Sequence, residues 1–407
     1  MSTTTAHPFT LPAQAPAAAR TILRLLQRLR HGTLDVLWPD GTHSRFGSGA
    51  LGQTHAAIRL LDWRACTAAL KSGDIGFAEA FIAGQWTSPD LTALLKLFIH
   101  NREAIDKLIY GSWWGALWYR AKHLLNRNSR RGSLKNVHAH YDLGNEFYKL
   151  WLDESMNYSS ALFEADFDRP MAQAQQAKVQ RAIQECGLQP GQRLLEIGCG
   201  WGALAEAAAK FGAQVTGVTL SSEQLSHARS RVGAAGLQAK TDLRLQDYRD
   251  IHDGPYDAIV SIEMFEAVGR EYWDTFFATV KSQLKPGGLA CIQTITIRDD
   301  LFERYVRSTD FIQQYIFPGG LLPSPSAFAT QAQKAGLEVI RSLAFGPDYA
   351  ETLRRWRRDF LAREAQVRQL GFDTRFMRIW EFYLAYCEAA FDTGNTDIVQ
   401  FTLRRPV

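Results

Sequence analysis

The sequence predicts an α/β protein with a doubly wound parallel sheet and a second, small α+β domain at the N-terminal side. Three observations support this fold class. The chain has 407 residues and 46% hydrophobic residues, which is enough for two or three domains and excludes full-length disorder. From about residue 175, short apolar strands alternate with helices in βαβ order. Before residue 110, a hairpin pattern and helical patterns are mixed instead.

These patterns divide the chain into four predicted parts. Residues 1–19 are rich in Ala, Pro and Thr and are expected to be disordered. A small domain is predicted at 20–110, where a basic amphipathic helix favours a lipid or membrane surface. A basic aromatic linker is predicted at 111–137, and the main α/β domain with its insertions at 138–407.

The first predicted elements belong to the small domain. Residues 20–30 place Ile22, Leu23 and Leu26 on one helical face and arginines on the other, which indicates an amphipathic basic helix. Two alternating runs around Pro39-Asp40-Gly41 predict a hairpin, and Ser88-Pro89-Asp90 predicts a helix start.

The predicted elements of the main domain follow in order. Strands are expected at 193–198, 214–220, 242–248, 256–262, 289–297 and 337–345, and helices at 203–212, 222–236 and 271–288. An aromatic insertion occupies 298–325. Two long helices at 349–371 and 375–392 and a strand at 398–406 complete the pattern.

The net charge of +4 conceals an asymmetric distribution. Residues 1–135 carry +9 and residues 136–407 carry −5, and residues 107–141 contain no acidic residue. That stretch contains the following basic and aromatic residues: Lys107, Tyr110, Trp113, Trp114, Trp118, Tyr119, Arg120, Lys122, Arg127, Arg130, Arg131 and Lys135. Such residues favour contact with an anionic phospholipid membrane surface. The alternative is a packing helix followed by a solvated linker.

Cysteine usage and hydropathy bear on the compartment. The five cysteines are scattered without a CxxC pair, so we expect a reducing cytoplasm and no structural metal. The N-terminus lacks a signal-peptide pattern, and no apolar run approaches the ~18 residues of a membrane span. The sequence predicts a cytoplasmic protein that associates peripherally with the inner face of the cell membrane. No nucleic-acid module is evident, and a homodimer is left open.

A glycine-rich loop follows the first strand of the main domain. Glu196, Gly198, Gly200 and Gly202 are arranged as G-x-G-x-G after an acidic residue, at the point where a helix begins. Glycines let the backbone turn tightly and approach a ligand closely. In a correctly ordered α/β unit this spacing is typical of S-adenosylmethionine (SAM) binding. The alternative is an ordinary strand-to-helix turn.

The ends of the next strands supply further candidate cofactor residues. Thr219 and Leu220 end the second strand and Gln224 follows it, at the place where an acid usually binds the ribose hydroxyls. Asp247 and Tyr248 close the third strand, where an acid or amide commonly meets the adenine. Helix capping or surface exposure is the alternative for each of them.

The chain resembles the cyclopropane fatty acid synthases and their mycolic-acid and mid-chain-methylating relatives. The matching stretches are HYDLGNEFYKLWLDESMNYSSALF (140–163), LLEIGCGWGALA (194–205), GVTLSSEQ (217–224), LQDYRD (245–250), IVSIEMFEAVG (259–269), YIFPGGLLPS (315–324) and FGPDY (345–349). The resemblance implies a Rossmann-like class I SAM methyltransferase fold. It also implies methylation of a cis double bond in a phospholipid acyl chain, through a carbocation that aromatic faces stabilise.

The resemblance also assigns residue roles. Tyr158, Ser159 and Ile262 are expected beside the SAM. Glu266 and Tyr349 match the Glu and Tyr that hold a bound bicarbonate, which is thought to be the base in this family. The predicted catalytic set is completed by Ser160, Gln293 and Ile295. We expect a raised pKa at Glu266, since a carboxylate next to bicarbonate requires a proton on one of them. A helix-capping acid and a core phenol are the alternatives for Glu266 and Tyr349.

Three positions depart from the commonest pattern of these synthases. Ser160 stands where Cys is usual, and Ala267 and Gln293 stand where His is usual. Ser and Gln can still donate hydrogen bonds to an anion. We expect cyclopropane formation. A hydride shift before proton loss would instead give a methyl- or methylene-branched chain.

Three alternatives remain at this stage. One alternative is whether a set of aromatic residues lines an acyl tunnel or forms ordinary core. The set consists of Phe302, Tyr305, Phe311, Tyr315, Phe317, Phe376, Trp380 and Tyr383. The substrate is a lipid or a soluble small molecule. The departures at three site positions also leave open a non-catalytic, lipid-binding homologue.

Overall fold

The computed structural model describes residues 15–47, 54–105 and 143–407. They form an N-terminal α+β domain and a larger α/β domain. The expectations for residues 1–14 and for the basic aromatic stretch 107–141 lie outside the described residues.

The N-terminal domain contains a four-stranded sheet in the order β2-β1-β3-β4. Its strands are β1 (Thr33–Leu37), β2 (His43–Gly47), β3 (His55–Leu60) and β4 (Trp86–Thr87). Strand β1 pairs antiparallel with β2 and parallel with β3. The pairing of Leu37 with His43 confirms the hairpin predicted around Pro39-Asp40-Gly41.

Three helices complete this domain: α1 (Ala17–Leu26), α2 (Arg64–Ile82) and α3 (Leu91–His100). Helix α1 begins three residues before the predicted start at Arg20. Its apolar residues Ile22, Leu23 and Leu26 are buried in the domain core, whereas Arg20 and Arg24 are exposed. The apolar face of α1 therefore stabilises the domain itself and is not free to enter a lipid surface.

The main domain is built on a seven-stranded sheet in the order β10-β11-β9-β8-β5-β6-β7. Its strands are β5 (Arg193–Ile197), β6 (Gln214–Thr219), β7 (Thr241–Leu245), β8 (Tyr256–Ile262), β9 (Leu284–Ile297), β10 (Glu338–Ala344) and β11 (Thr396–Arg404). Strands β5 to β9 are parallel, which confirms the doubly wound fold class. The terminal strand β11 inserts antiparallel between β9 and β10.

Helices cover both faces of this sheet. They are α4 (Asn145–Lys149), α5 (Met171–Glu185), α6 (Ala203–Phe211), α7 (Ser222–Ala234), α8 (Trp273–Gln283), α9 (Asp299–Val306), α10 (Phe311–Tyr315), α11 (Pro325–Lys334), α12 (Gly346–Ala362), α13 (Glu364–Gln369) and α14 (Thr374–Asp392). The helix predicted at 349–371 is interrupted at Arg363, where α12 ends and α13 begins.

The order of the parallel strands determines where a ligand can bind. Strand β5 lies between β6 and β8, and the chain crosses from one side of β5 to the other between β7 and β8. At such a switch point the loops beyond the carboxyl ends of the strands diverge and leave a crevice. The loops after β5, β6 and β8 therefore meet at one edge of the sheet.

The two domains dock through α2, α3 and α14. Thr92 Oγ1 donates to the buried Glu388 carboxylate at 3.0 Å, and Lys96 pairs with Asp392 at 2.9 Å. The rings of Phe81 and Phe382 pack with their centroids 5.7 Å apart. Within the part of the chain that the structure describes, no helix is long and apolar enough to span a membrane.

Candidate active site

A cavity of about 330 Å³ opens at the carboxyl edge of the parallel strands. The predicted cofactor residues that line it are Tyr158, Ser159, Glu196, Gly198, Gly200, Thr219, Leu220, Gln224, Asp247, Tyr248 and Ile262. Of the predicted catalytic residues, Glu266, Ile295 and Tyr349 also line the cavity. Residues that are far apart in the sequence thus meet in one chamber.

The glycine loop uses its three glycines in different ways. Gly198, Gly200 and Gly202 have φ values of 90°, 48° and 84°, a region that other residues rarely adopt. A Cβ atom on Gly200 would meet nothing within 4 Å, so this backbone faces open space in the cavity. A Cβ on Gly202 would lie 2.8 Å from the Cβ of Ala228. Gly202, predicted as a cofactor residue, does not line the cavity and instead allows α6 and α7 to pack closely.

The loop after β6 is held by its own polar groups. Thr219 Oγ1 donates to Gln224 Oε1 at 3.1 Å, and Ser221 caps α7 by accepting from the Gln224 backbone N–H at 3.2 Å. Both Thr219 and Gln224 are buried side chains that border the cavity. Their fixed positions suit the ribose-binding role that their place after β6 suggested.

Glu196 supplies a buried acceptor at the end of β5. Its side chain is 3% exposed, and its Oε2 atom has no hydrogen-bond partner within the described residues. Burial raises the pKa of this carboxyl well above its usual range, although the nearby Lys178 opposes that shift. A buried acceptor beside a glycine loop fits a ligand that brings its own donors, as the hydroxyls and the ammonium group of SAM would.

Asp247 lines the cavity, as a cofactor residue would, and it also has structural contacts. Its carboxylate caps the turn Tyr248–Asp250 and forms an ion pair with Arg249 at 2.6 Å. The Arg249 guanidinium also lies 5.6 Å from the Tyr248 ring centre. These contacts make Asp247 a residue that positions the Tyr248 side of the cavity wall.

Tyr158 and Ser159 form another part of the cavity wall. The Tyr158 hydroxyl is 2.7 Å from the Tyr383 hydroxyl. Ser159 Oγ accepts a hydrogen bond from Lys178 Nζ at 2.5 Å, and Gln175 Nε2 donates to the Ser159 carbonyl at 2.9 Å. These bonds anchor the loop that carries Tyr158 to α5 and α14.

Two glutamates lie side by side at the base of the cavity. Glu263 Oε1 accepts from the Ser160 backbone N–H and from Gln293 Nε2, both at 2.8 Å. Glu263 Oε2 accepts from the Tyr349 hydroxyl at 2.7 Å. Glu266 Oε1 accepts from the Ile295 backbone N–H, and its Oε2 has no hydrogen-bond partner among the described residues.

This arrangement differs from the one that the sequence suggested. Glu266 and Tyr349 were expected to hold bicarbonate together, with Ser160 and Gln293 as donors. In the structure, Ser160, Gln293 and Tyr349 all donate to Glu263, which was not among the predicted site residues. The donors do not fit a separate bicarbonate, because a carboxylate of the chain already accepts from them.

The environment of the two glutamates sets their protonation. Burial together with the neighbouring negative charge of Glu263 raises the pKa of Glu266 to about 8. The direction of the shift agrees with the prediction, but its cause is Glu263 and not a bicarbonate. Burial also raises the pKa of Glu263, while Tyr349, Ser160, Lys178 and Gln293 lower it. We infer that Glu263 carries the negative charge at neutral pH and that Glu266 carries a proton.

Three polar residues of the site were missed by sequence reasoning. Glu263 stands three residues before Glu266 in IVSIEMFEAVG, so the motif contains a second acid to which the resemblance assigns no role. Lys178 is fully buried on α5, and nothing in the helical pattern marked it. Gln400 donates to Gln293 Oε1 at 3.0 Å, and only the pairing of β11 with β9 brings the two together.

The aromatic residues divide between cavity wall and core. Phe317, Tyr305 and Tyr383 line the cavity. Phe376 and Trp380 stack on each other and contact Phe147 in the core. Phe302 and Phe311 are buried in core clusters, and Tyr315 donates to Glu79 at 2.5 Å. Part of the aromatic set therefore faces the ligand space, and the remainder is structural.

The fold and the site together define a SAM-dependent methyltransferase. The particular family follows from comparison with known proteins. A family model described as mycolic acid cyclopropane synthetase matches residues 128–401, and the chain belongs to this family. Its members transfer a methyl carbon from SAM to fatty acyl chains, where it forms a branch or a cyclopropane ring.

Relatives and solved structures agree with this assignment. The chain is 39% identical over 406 residues to the tuberculostearic acid methyltransferase of Mycobacterium tuberculosis, covering 96% of this chain and 92% of that protein. It is 34% identical over 366 residues to the cyclopropane-fatty-acyl-phospholipid synthase of Escherichia coli K12, with coverages of 89% and 92%. A mycolic acid cyclopropane synthase complexed with SAH and CTAB has a TM-score of 0.62 at 35% identity, over 67% of this chain and 98% of that chain.

Proposed function

We propose that the protein transfers the methyl carbon of SAM to a cis double bond in the acyl chain of an unsaturated phospholipid. The observation that carries this proposal is one cavity in which the SAM loop, an aromatic wall and a buried acid pair meet. SAM, when bound, supplies an electrophilic methyl group. The residues of the chain orient the alkene, exclude water and remove a proton.

The aromatic wall suits a substrate that becomes positively charged. Tyr158, Tyr349 and Phe391 line the cavity, and the ring centres of Tyr349 and Phe391 lie 4.4 Å apart. Tyr158 is supported by Trp356 and Trp151, whose ring centres lie 5.4 and 5.5 Å away. Aromatic faces attract a cation without forming a bond to it. Aromatic faces beside the reacting alkene would therefore lower the energy of a carbocation, and a bound acyl chain would keep water from trapping it.

A second cavity supports a long acyl substrate. It has a volume of about 390 Å³ and lies between the N-terminal domain and the main domain. Its wall includes Leu26, Leu34 and Ile58 from the N-terminal domain. Tyr305 and Leu322 border both this cavity and the SAM cavity. An apolar chamber beside the reacting site suits the methylene tail of a fatty acyl chain.

The N-terminal domain favours a phospholipid as the acyl carrier. The relative named for a fatty-acyl phospholipid covers 89% of this chain. The mycolic acid cyclopropane synthase structure covers only 67% of it. The domain that forms one wall of the apolar cavity is thus a feature that the chain shares with the phospholipid enzyme. The basic stretch at 107–141 would bring the protein to an anionic phospholipid surface.

Two products are compatible with this chemistry. The family model and the Escherichia coli relative support a cyclopropane ring, as the sequence suggested. A methyl- or methylene-branched chain is favoured by the 39% identity to the tuberculostearic acid methyltransferase over nearly all of both proteins. Ring closure and branching differ in whether a hydride shift precedes the loss of the proton.

One experiment tests the function and separates the products. Purified protein is incubated with methyl-labelled SAM and vesicles of unsaturated phospholipid, and the released fatty acids are analysed by fragmentation mass spectrometry. We expect one added carbon at the position of the former double bond, with the fragments locating a ring or a branch. Saturated phospholipid serves as the control. Label transfer to neither lipid, with SAM binding intact, would contradict the proposed function.

A further inference from the structure

We propose that Glu263 is an internal base that takes the place of a bound bicarbonate and accepts the proton that the substrate cation loses. This inference rests on the proposed function and deepens it. Its basis is the convergence of three donors on one side chain of the chain itself, in a cavity wall beside the SAM loop.

The geometry around Glu263 is that of an anion site. A backbone N–H, a side-chain amide and a phenol all donate to its two oxygens at 2.7–2.8 Å. Two of the residues that provide these donors, Ser160 and Gln293, have no exposed surface, and Tyr349 is 6% exposed. Donors that point at a buried carboxylate stabilise its charged form. A carboxylate also has the planar O–C–O shape of bicarbonate, so the same donors can bind either of them.

The backbone supports a dedicated role for this side chain. Glu263 has φ 49°, in the left-handed region that disfavours residues with a Cβ atom. Its N–H donates to the Gln293 carbonyl at 2.8 Å, which ties the strained residue to β9. Strain of this kind destabilises the folded chain and persists only where neighbouring contacts enforce it. Here it directs the carboxylate towards its three donors.

A further anion would be unfavourable in the same place. A bicarbonate beside the Glu263 carboxylate would be repelled by it, because two like charges interact strongly where little water screens them. It would also lack the donors that Glu263 occupies. Glu263 therefore provides the negative charge at the position that a bicarbonate would take.

The proposed step is balanced in atoms and charge. The alkene electron pair forms the new C–C bond while the sulfonium C–S bond breaks, so one positive charge moves to the acyl chain. A C–H bond then gives its electron pair to a ring bond or a double bond, and the proton passes to Glu263. Oε2, which accepts only from Tyr349 among the described residues, retains a lone pair for it. The neutral acid later returns the proton to water, and no oxidant or reductant is required.

The test compares wild type with Glu263→Gly in carbon-dioxide-free buffer, with and without added bicarbonate. Glycine suits the positive φ and leaves the donors of Ser160, Gln293 and Tyr349 free. We expect wild-type methyl transfer to be independent of bicarbonate. Without bicarbonate the variant should lose about 100-fold or more, as for removal of a general base, and added bicarbonate should restore part of the rate.

Glu164→Gly is the matched control. Glu164 also has a positive φ, 57°, but it is exposed and does not line the cavity. The same substitution there should leave the rate and its independence of bicarbonate unchanged. Glu263→Gln should bind SAM but stay inactive with bicarbonate, because the amide fills the anion site without supplying a base.

Thermal unfolding gives a readout that does not require turnover. Bicarbonate should raise the Tm of Glu263→Gly, because it binds only the folded protein, and should leave wild type and Glu164→Gly unchanged. A wild-type enzyme that needs bicarbonate would overturn the proposal, as would a Glu263→Gly variant that is fully active without it. So would a Glu263→Gly variant with neither rescue nor a Tm shift. If wild type labels no lipid, the proposed function fails, and the Tm shifts still decide whether Glu263 occupies an anion site.

Discussion

At the scale of single residues, the neighbouring acids Glu263 and Glu266 differ because their hydrogen-bond partners differ. Glu263 accepts from three donors, whereas the side chain of Glu266 accepts from Ile295 and retains an oxygen without a partner in the described structure. Two adjacent carboxylates rarely both ionise in a buried site. The carboxylate with more hydrogen-bond donors, Glu263, keeps the charge, and Glu266 keeps a proton.

Glu266→Gln tests this division of roles. Below about pH 8 the side chain of Glu266 is protonated, so an amide resembles it and should preserve most of the turnover at pH 7. Wild-type activity should decline as the pH rises through about 8, since ionised Glu266 would repel Glu263. In Glu266→Gln the activity should not fall for this reason, because the amide does not ionise. The pKa of the buried Lys178 is lowered to about 8, so its own titration remains in both proteins.

The measurement is kcat against pH, together with SAM affinity by calorimetry. The exposed Glu271, changed to Gln, is the control for a lost carboxylate in the same segment. A loss of about 100-fold or more in Glu266→Gln at pH 7, with SAM affinity retained, would mean that Glu266 acts as an anion.

At the scale of elements, two glycines of the loop between β5 and α6 have different roles: Gly200 leaves space for the ligand, and Gly202 allows two helices to pack closely. Alanine at either Gly200 or Gly202 must adopt a positive φ, which costs on the order of 1 kcal/mol. At Gly200 the new methyl group enters open cavity space, whereas at Gly202 it collides with Ala228.

The two alanine variants should therefore differ in what they lose. Gly200→Ala should weaken SAM binding about 10-fold or more, because the methyl group occupies space needed by the ligand, with a modest fall in Tm. Gly202→Ala should lower the free energy of unfolding by a further ~1–3 kcal/mol, the usual cost of overpacking, with SAM affinity retained in the folded fraction. Calorimetry and thermal unfolding of both variants check this. Equal losses of affinity would show that Gly202 also contacts the cofactor.

At the scale of the whole molecule, a buried acid lies in the interface between the domains. Asp74 of α2 accepts from the Tyr386 hydroxyl at 3.0 Å and from the Phe311 N–H at 3.3 Å. Burial, with the nearby Asp310 charge, raises the pKa of Asp74 to about 7. The pKa of Asp310 is itself raised to about 6 by burial. A raised pKa means that the folded state prefers protonated Asp74, so this contribution to stability is lost as the pH rises from about 4 to 7.

Asp74→Asn should remove this pH dependence. An amide is neutral at every pH and keeps one oxygen as an acceptor for Tyr386 and Phe311. At about pH 8 the variant should be more stable than wild type by on the order of 1 kcal/mol, and at about pH 5 the difference should vanish or reverse. Thermal unfolding at both pH values measures it. Asp274→Asn, at an exposed position, is the control. If the difference in stability between Asp74→Asn and wild type is the same at both pH values, the proposed role of Asp74 is wrong.

The basic stretch between the domains leads to a prediction about membranes. Replacing Arg127, Arg130 and Arg131 with alanine removes three charges that would each contribute about 1 kcal/mol beside anionic lipid. Binding to anionic vesicles in a sedimentation assay should weaken by about 100-fold and depend less on salt. Three exposed arginines of the main domain, Arg358, Arg363 and Arg368, provide the matched control. Unchanged vesicle binding would make the stretch a linker only.

Much of the fold was predictable because its signals are local. Alternating strand and helix patterns, the hairpin at Pro39-Asp40-Gly41 and the glycine loop depend on neighbouring residues and on the polar or apolar nature of each side chain. The antiparallel insertion of β11 depends on contacts between distant segments, and so does the burial of the apolar face of α1 in its own domain. Neither contact leaves a local sequence pattern.

The candidate site divides in the same way. The sequence by itself determined the SAM loop and the family, since these depend on motifs. It indicated the direction of the pKa shift at Glu266 but not the cause, which is burial beside Glu263. Only the tertiary structure decided which carboxylate meets Ser160, Gln293 and Tyr349. That choice depends on the positive φ of Glu263 and on the register of β9 beside β8, which place four separate segments within hydrogen-bonding distance.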